Sequence, residues 1–168
     1  MDKIKKNKNI FIVLTVICFI IGYFKVRDYY ILKDCFVFSK DNIVRVLNYD
    51  KDLNSHNYHI SEEDINYLSK VLSNSKLKKS SAEESPFPST GGMLIILDGN
   101  IRENKDSTQM EYKRSIQLIK INSEKVYVIL EINKLRDDDS FNMDGVAQKF
   151  YTINSKELVQ FIEKLNSN

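Results

Sequence analysis

The chain has 168 residues, with 25 lysines and arginines against 23 aspartates and glutamates, a net charge of +2. The first nine residues alone carry Lys3, Lys5, Lys6 and Lys8 against Asp2, so the remainder is close to neutral and presents no broad basic footprint for nucleic acid. Two cysteines, Cys18 and Cys35, and two histidines, His56 and His59, exclude a disulfide-stapled scaffold and leave few soft ligands for a metal.

Ile10 to Phe24 (IFIVLTVICFIIGYF) runs fifteen residues without a charge, eleven of them Ile, Leu, Val or Phe. Each of these favours membrane insertion by roughly 0.3–0.6 kcal/mol, and no polar stripe marks a face for water. The run covers about 22 Å against a hydrocarbon core of about 30 Å, a gap that Asn9 and Val26 narrow and that snorkelling by Lys8 and Lys25 closes. A cleaved signal peptide is the rival, but the exit Gly22-Tyr23-Phe24-Lys25 lacks the small residues of a cleavage site. Ile17 before Cys18 argues against lipid attachment there. The expected organisation is a basic cytoplasmic head at 1–9, a transmembrane helix at 10–26 with Ile10–Phe24 in membrane lipid, and a juxtamembrane stalk with a first strand at 27–41. An extracytoplasmic α+β domain follows at 42–168. Orientation follows from the excess of positive charge at the amino end.

Beyond the anchor, 35–39 (CFVFS) and 42–50 (NIVRVLNYD) are β-branched and aromatic and predict strands. A polar turn at 50–57 leads to a brief extension at 58–60. Ser61 then predicts a helix over 62–73, with Asp64 completing a capping box, Ile60 stapling onto Ile65, and Ile65, Leu68, Val71 and Leu72 forming the apolar face. Residues 73–92 hold both prolines and break the pattern, which predicts a long functional or disordered loop. MLIILD at 93–98 predicts a buried central strand, and 98–113 a turn followed by a loop or an elongated hairpin tip. RSIQLIKIN at 114–122 predicts a strand whose parity shift at Leu118-Ile119 suggests a bulge. KVYVILEI at 125–132 alternates most cleanly. After the polar segment 133–148, KFYTI at 149–153 predicts a strand feeding a helix over 155–166 capped by Asn154. The fold class expected is α+β: one N-terminal transmembrane helix, then a two-layer sandwich of a mainly antiparallel sheet with two amphipathic helices.

Tyr58-x-Ile60-Ser61-x-x-Asp64-Ile65 is echoed by Tyr151-x-Ile153-Asn154-x-x-Glu157-Leu158. With the anchor and the meander between them, this strand-to-helix pattern resembles small uncharacterised membrane-anchored or lipoprotein-type surface domains of low-GC Gram-positive bacteria. The abundance of Lys, Asn and Ile agrees with such a genome. The resemblance implies a surface domain and brings no catalytic residues with it.

Chemistry-bearing patterns are sparse. His56 and His59 have no ligand partner at a familiar spacing, and Asp50-x-Asp52-x-Asn54 starts like a calcium loop. It then carries Ser55 where glycine is required and Ser61 where the bidentate glutamate belongs. Asp137–Asp139 with Asp144 reads as a solvated acidic loop. Cys35 falls in an apolar run, where an inert thiol is expected. There is no G-x-S-x-G, phosphate loop or H-E-x-x-H, so neither a cofactor nor a catalytic set is assigned. The expected function is a non-enzymatic tethered module binding a protein, peptide or envelope polymer through Lys76, Lys78, Lys79 and Phe87. Two alternatives stand beside it: an envelope hydrolase or metal-dependent enzyme using His56 and His59 with Asp50 or Asp52, and an accessory or immunity-type subunit of a membrane complex.

Overall fold

The computed structural model describes residues 2–49, 54–86, 92–104, 107–133 and 146–166, with side chains described for all of these except 2–10, 100–111 and 165–166. The chain divides into two compact units, Met1–Phe36 and Val37–Asn168.

The first unit is a single helix, α1 (Asp2–Asp34). Every described side chain from Phe11 to Phe24 is exposed, Phe11 by 71% and Phe19 by 76%. Thr15 Oγ1 donates to the Phe11 carbonyl at 2.9 Å and so needs no outside partner. Among the described residues no helix is long and apolar enough to cross a membrane. The helix continues through residues 27–34, where Tyr29 and Tyr30 meet edge to face at 5.8 Å and the Arg27 guanidinium lies 4.9 Å from the centre of the Phe24 ring. The strand expected at 35–39 does not form. The Cys35 and Phe36 amides donate back to the carbonyls of Ile31 and Lys33, which closes the helix in a turn and withdraws both donors from any ladder.

The second unit is built on an antiparallel sheet of seven strands: β1 (Ile43–Tyr49), β2 (Ser55–Asn57), β3 (Lys78–Lys79), β4 (Gly92–Asn104), β5 (Ser107–Lys120), β6 (Lys125–Asn133) and β7 (Val146–Asn154). With α1 and the helices α2 (Glu62–Asn74) and α3 (Lys156–Asn166), this makes the fold α+β. The strand order is β2-β1-β4-β5-β6-β7-β3. β2 occupies Ser55–Asn57, inside the stretch expected to turn, and residues 58–60 are not strand. β4 and β5 form one long hairpin in unbroken register from Met93↔Leu118 to Asn104↔Ser107, which is the elongated alternative for residues 98–113. Asp98 sits within it at φ 55°, a left-handed conformation that its short polar side chain tolerates.

No bulge occurs at Leu118-Ile119: β5 keeps register with β4 as far as Leu118 and with β6 through Lys120, and the irregularity lies between Ile43 and Arg45 of β1. The apparent parity shift has another cause, which is that both faces of the sheet are covered at this point. Lys120, Val126 and Ile153 share one face by register, and Lys120 is ion-paired with Glu163 of α3, so this is the helix face. Val126, Val128, Leu130, Ile116, Leu118 and Ile153 are all buried on it. On the opposite face Ile119 and Tyr127 are also fully buried, and the Tyr127 hydroxyl donates to the carbonyl of Ser81. Ser81 belongs to the link that must travel from β3 at the sheet edge to β4 near its middle. The loop expected at 73–92 is therefore partly ordered: it supplies β3 and then a short 3-10 turn at Ala82–Glu84.

Both helices start where local chemistry dictates. Ser61 caps α2, accepting from the Asp64 amide at 3.1 Å, and α2 buries Ile65, Leu68 and Leu72. Its buried Ser69 accepts from the Phe38 amide at 2.9 Å. The cap of α3 is Ser155 rather than Asn154, because Asn154 is still paired with Lys125 in the β6–β7 ladder; Ser155 Oγ accepts from the Leu158 amide at 3.1 Å.

One glycine is fixed by close approach. A Cβ at Gly92 would lie 2.7 Å from the Leu118 carbonyl oxygen and 3.2 Å from Ile119 Cγ1. Backbone cannot yield there as a flexible side chain would. Gly92→Ala is expected to destabilise the fold by about 1–3 kcal/mol, the usual cost of overpacking, read as a lowered urea midpoint at unchanged slope.

Candidate functional site

The carboxyl end of α2 and the amino end of α3 frame an open groove of about 430 Å³ lined by Tyr67, Lys70, Asn74, Lys76, Ser155 and Glu157 among others. The two helices are held side by side by the Tyr67–Phe161 ring contact at 5.1 Å and by Lys164 with Asp64 at 3.6 Å. At the carboxyl end of α2, Asn74 Nδ2 donates to Lys70 O, and Ser75 Oγ to Val71 O at 2.6 Å. Neither Lys70 nor Lys76 has an ion-pair partner among the described residues. Burial, and then the Glu157 carboxylate, hold the Tyr67 hydroxyl above its ordinary pKa.

The lysines expected to form an interaction surface are divided by the sheet. Lys76 lines the groove. Lys79 pairs with Tyr151, which shares the helix face with Ile153, so Lys79 lies on the groove side; Lys78 pairs with Thr152, on the face of Tyr127. All three lysines are exposed. Phe87 lies outside the described residues. Lys70 and the α3 amino end were not singled out in the sequence. They become visible only once the two helices are adjacent.

Ser115, Glu131 and Gln148 are cross-strand partners on the sheet face away from the helices and form a second polar cluster. Glu131 accepts from Tyr112 Oη and Ser115 Oγ, both at 3.0 Å, and from Gln148 Nε2 at 2.9 Å. Asn133 Nδ2 donates to the Tyr112 carbonyl at 2.8 Å, while its Oδ1 is buried without a partner among the described residues. Burial together with the Glu131 carboxylate pushes the Tyr112 hydroxyl up from its ordinary pKa.

Compared with protein-family models, curated proteins and solved structures, the chain matches none.

The residues of the enzyme alternative are not drawn together by the described structure. His56 is exposed in β2 opposite Asn48, His59 is exposed beyond the strand, and Asp50 and Asp52 lie outside the described residues, as does the acidic stretch 137–144. Among the described residues no group of three or more His, Cys, Asp or Glu is placed to hold a metal ion. Cys35 is half-buried in the turn that ends α1.

The tyrosines give this domain a pH signature. Tyr49, Tyr67, Tyr112 and Tyr127 are all held above their ordinary value near 10, chiefly by burial. Above about pH 10 the unfolded chain releases these protons while the folded chain retains them, so stability is full below that pH and falls as pH rises through the folded values. Tyr112→Phe is expected to make the alkaline decline of stability shallower, measured by urea unfolding between neutral pH and pH 11.

Proposed function

We propose that the chain is a single-pass, membrane-tethered extracytoplasmic binding module. The observation that carries this reading is the α1 stretch from Phe11 to Phe24, which is apolar on every side and exposed throughout. Such a surface is unfavourable in water by roughly 25 cal/mol per Å² of apolar area. A soluble helix would bear a polar stripe, and this one bears none. With Ile10 and Asn9 counted before it and Val26 after, the helix reaches the length that a bilayer demands once its flanking lysines snorkel. Tyr23, Tyr29 and Tyr30, all exposed, fall where interfacial aromatics belong, and the lysines at 3–8 set the amino end inside.

Binding is favoured over catalysis by the character of the second unit. Its one described groove rimmed by charge holds lysines, neutral hydrogen-bonding side chains and a single carboxylate, an arrangement suited to holding a partner. The groove opens between α2 and α3, which the Tyr67–Phe161 contact holds together.

In bacterial cells the chain is expected to remain with membranes through an alkaline carbonate wash, and protease added outside is expected to digest residues beyond 37. Ile17→Arg, which costs about 2.5–3.5 kcal/mol at a helix centre, should move the chain to the soluble fraction. Recovery of the unaltered chain in the soluble fraction, or complete protection of its carboxy-terminal part, overturns the reading.

A further inference from the structure

We infer that the groove and the adjoining sheet edge take an extended acidic segment of a partner protein, its carboxylates on Lys70, Lys76 and Lys79 and its backbone alongside β3; this rests on the binding-module reading above. Three observations lead there. The first is charge: Lys70, Lys76 and Lys79 are exposed on one side of the domain with no ion pair among the described residues, and Glu157 is the only acid lining the groove. Elsewhere on the same face, Lys120 and Lys164 are already matched by Glu163 and Asp64.

The second is the sheet edge. β3 is the terminal strand of the order. The Ser80 amide donates to the Phe150 carbonyl, and hydrogen-bonded and non-hydrogen-bonded pairs alternate along an antiparallel ladder. The pair Lys79↔Tyr151 is therefore a non-hydrogen-bonded one, and the peptide N–H and C=O of Lys79 point away from β7. A strand laid there finds a backbone donor and acceptor beside an ammonium. This favours a peptide over a phosphodiester polymer, which has no ladder of its own to offer.

The third is selection by charge. Lysine on an edge strand repels apolar or basic strands that would otherwise stack on it. The same ammonium admits a strand whose side chains carry carboxylates, so the guard against aggregation becomes a filter for acidic partners.

The register supplies an internal control, because Lys78 lies on the other face. The full chain, assembled into phosphatidylcholine nanodiscs, would be titrated with a fluorescein-labelled peptide of alternating Glu and Val, read by anisotropy. Saturable binding is expected, weakened about tenfold by Lys76→Glu with Lys79→Glu, and by an intermediate amount by the corresponding glutamine changes. Lys78→Glu is expected to stay within about twofold of the unaltered chain. A peptide N-methylated at its Glu residues should bind more weakly, because the residue opposite Lys79 shares its face and must donate its own N–H to the Lys79 carbonyl. Absence of saturable binding overturns the inference. So does an equal loss from Lys78→Glu, equal binding of the N-methylated peptide, or polyphosphate binding that matches the peptide. Failure of the chain to enter nanodiscs counts against the tether alone, whereas entry without peptide binding counts against the groove alone.

Discussion

Side-chain direction in this domain is set by one constraint, the unbroken antiparallel register that runs from β4 through β7. Strand side chains alternate with a period of two, so a slip of a single residue would exchange the two faces of every strand it touched. Fixed as it is, the register gathers Ile116, Leu118, Val126, Val128, Leu130 and Ile153 beneath the helices. It sends Tyr127 and Ile119 to the other side. Burial of a large apolar side chain is worth about 1.5–3 kcal/mol, so the wrong register would forfeit many such contributions together. The same alternation places Glu131 between Ser115 and Gln148, and separates Lys78 from Lys79.

The crossing from β3 to β4 explains why a sheet with its helices on one face still buries residues on both. A strand added outside β7 must be linked back to a strand near the middle of the order, and the link has to pass over a face. The Tyr127 hydroxyl bonded to Ser81 ties that link down across β6. Tyr127 is thus buried on the second face, and on the helix side a groove lies where α2 ends and α3 begins. At the other end of the sheet, Asp98 accepts from Arg114 and Asn42, and Arg114 also donates to the Val37 carbonyl. That network ties the middle of the β4–β5 hairpin to the first residue of the second unit.

Features governed by neighbours in sequence are legible in the sequence itself. The helix at 62–73 was readable because Ser61, Asp64 and the i, i+3, i+4 apolar set act within a few residues of each other, and the β6 alternation was readable for the same reason. Features governed by distant partners were not. Residues 35–39 have strand composition, yet the preceding helix claims the Cys35 and Phe36 amides. Asn154 is as good a cap as Ser155 in isolation, and only its pairing with Lys125 removes it from the helix. β3 is two lysines long and has no pattern of its own; it is a strand because Thr152 and Tyr151 present an open ladder. For the site, Lys76 was legible as part of a basic patch, whereas Lys70 and Glu157 belong to helices far apart in sequence and share a groove only after folding. The Ser115–Glu131–Gln148 set spans three strands and depends on register, which makes the three residues cross-strand partners.

That division bears on how function is read from a chain of this kind. A catalytic centre leaves a mark in sequence when its groups must be nucleophiles, bases or metal ligands, residue types scarce enough to be conspicuous. A surface that recognises an extended partner uses lysine, asparagine and serine, which are common, and uses backbone groups, which have no residue type at all. Its specificity comes from which ammonium groups are left uncompensated and which peptide groups face outward. Both are properties of strand order and register. In this domain the two coincide at the β3 edge, where Lys79 has an outward peptide and, among the described residues, no ion-pair partner, on the side where the groove opens. Lys78, adjacent in sequence and identical in chemistry, shares neither its face nor the direction of its backbone groups.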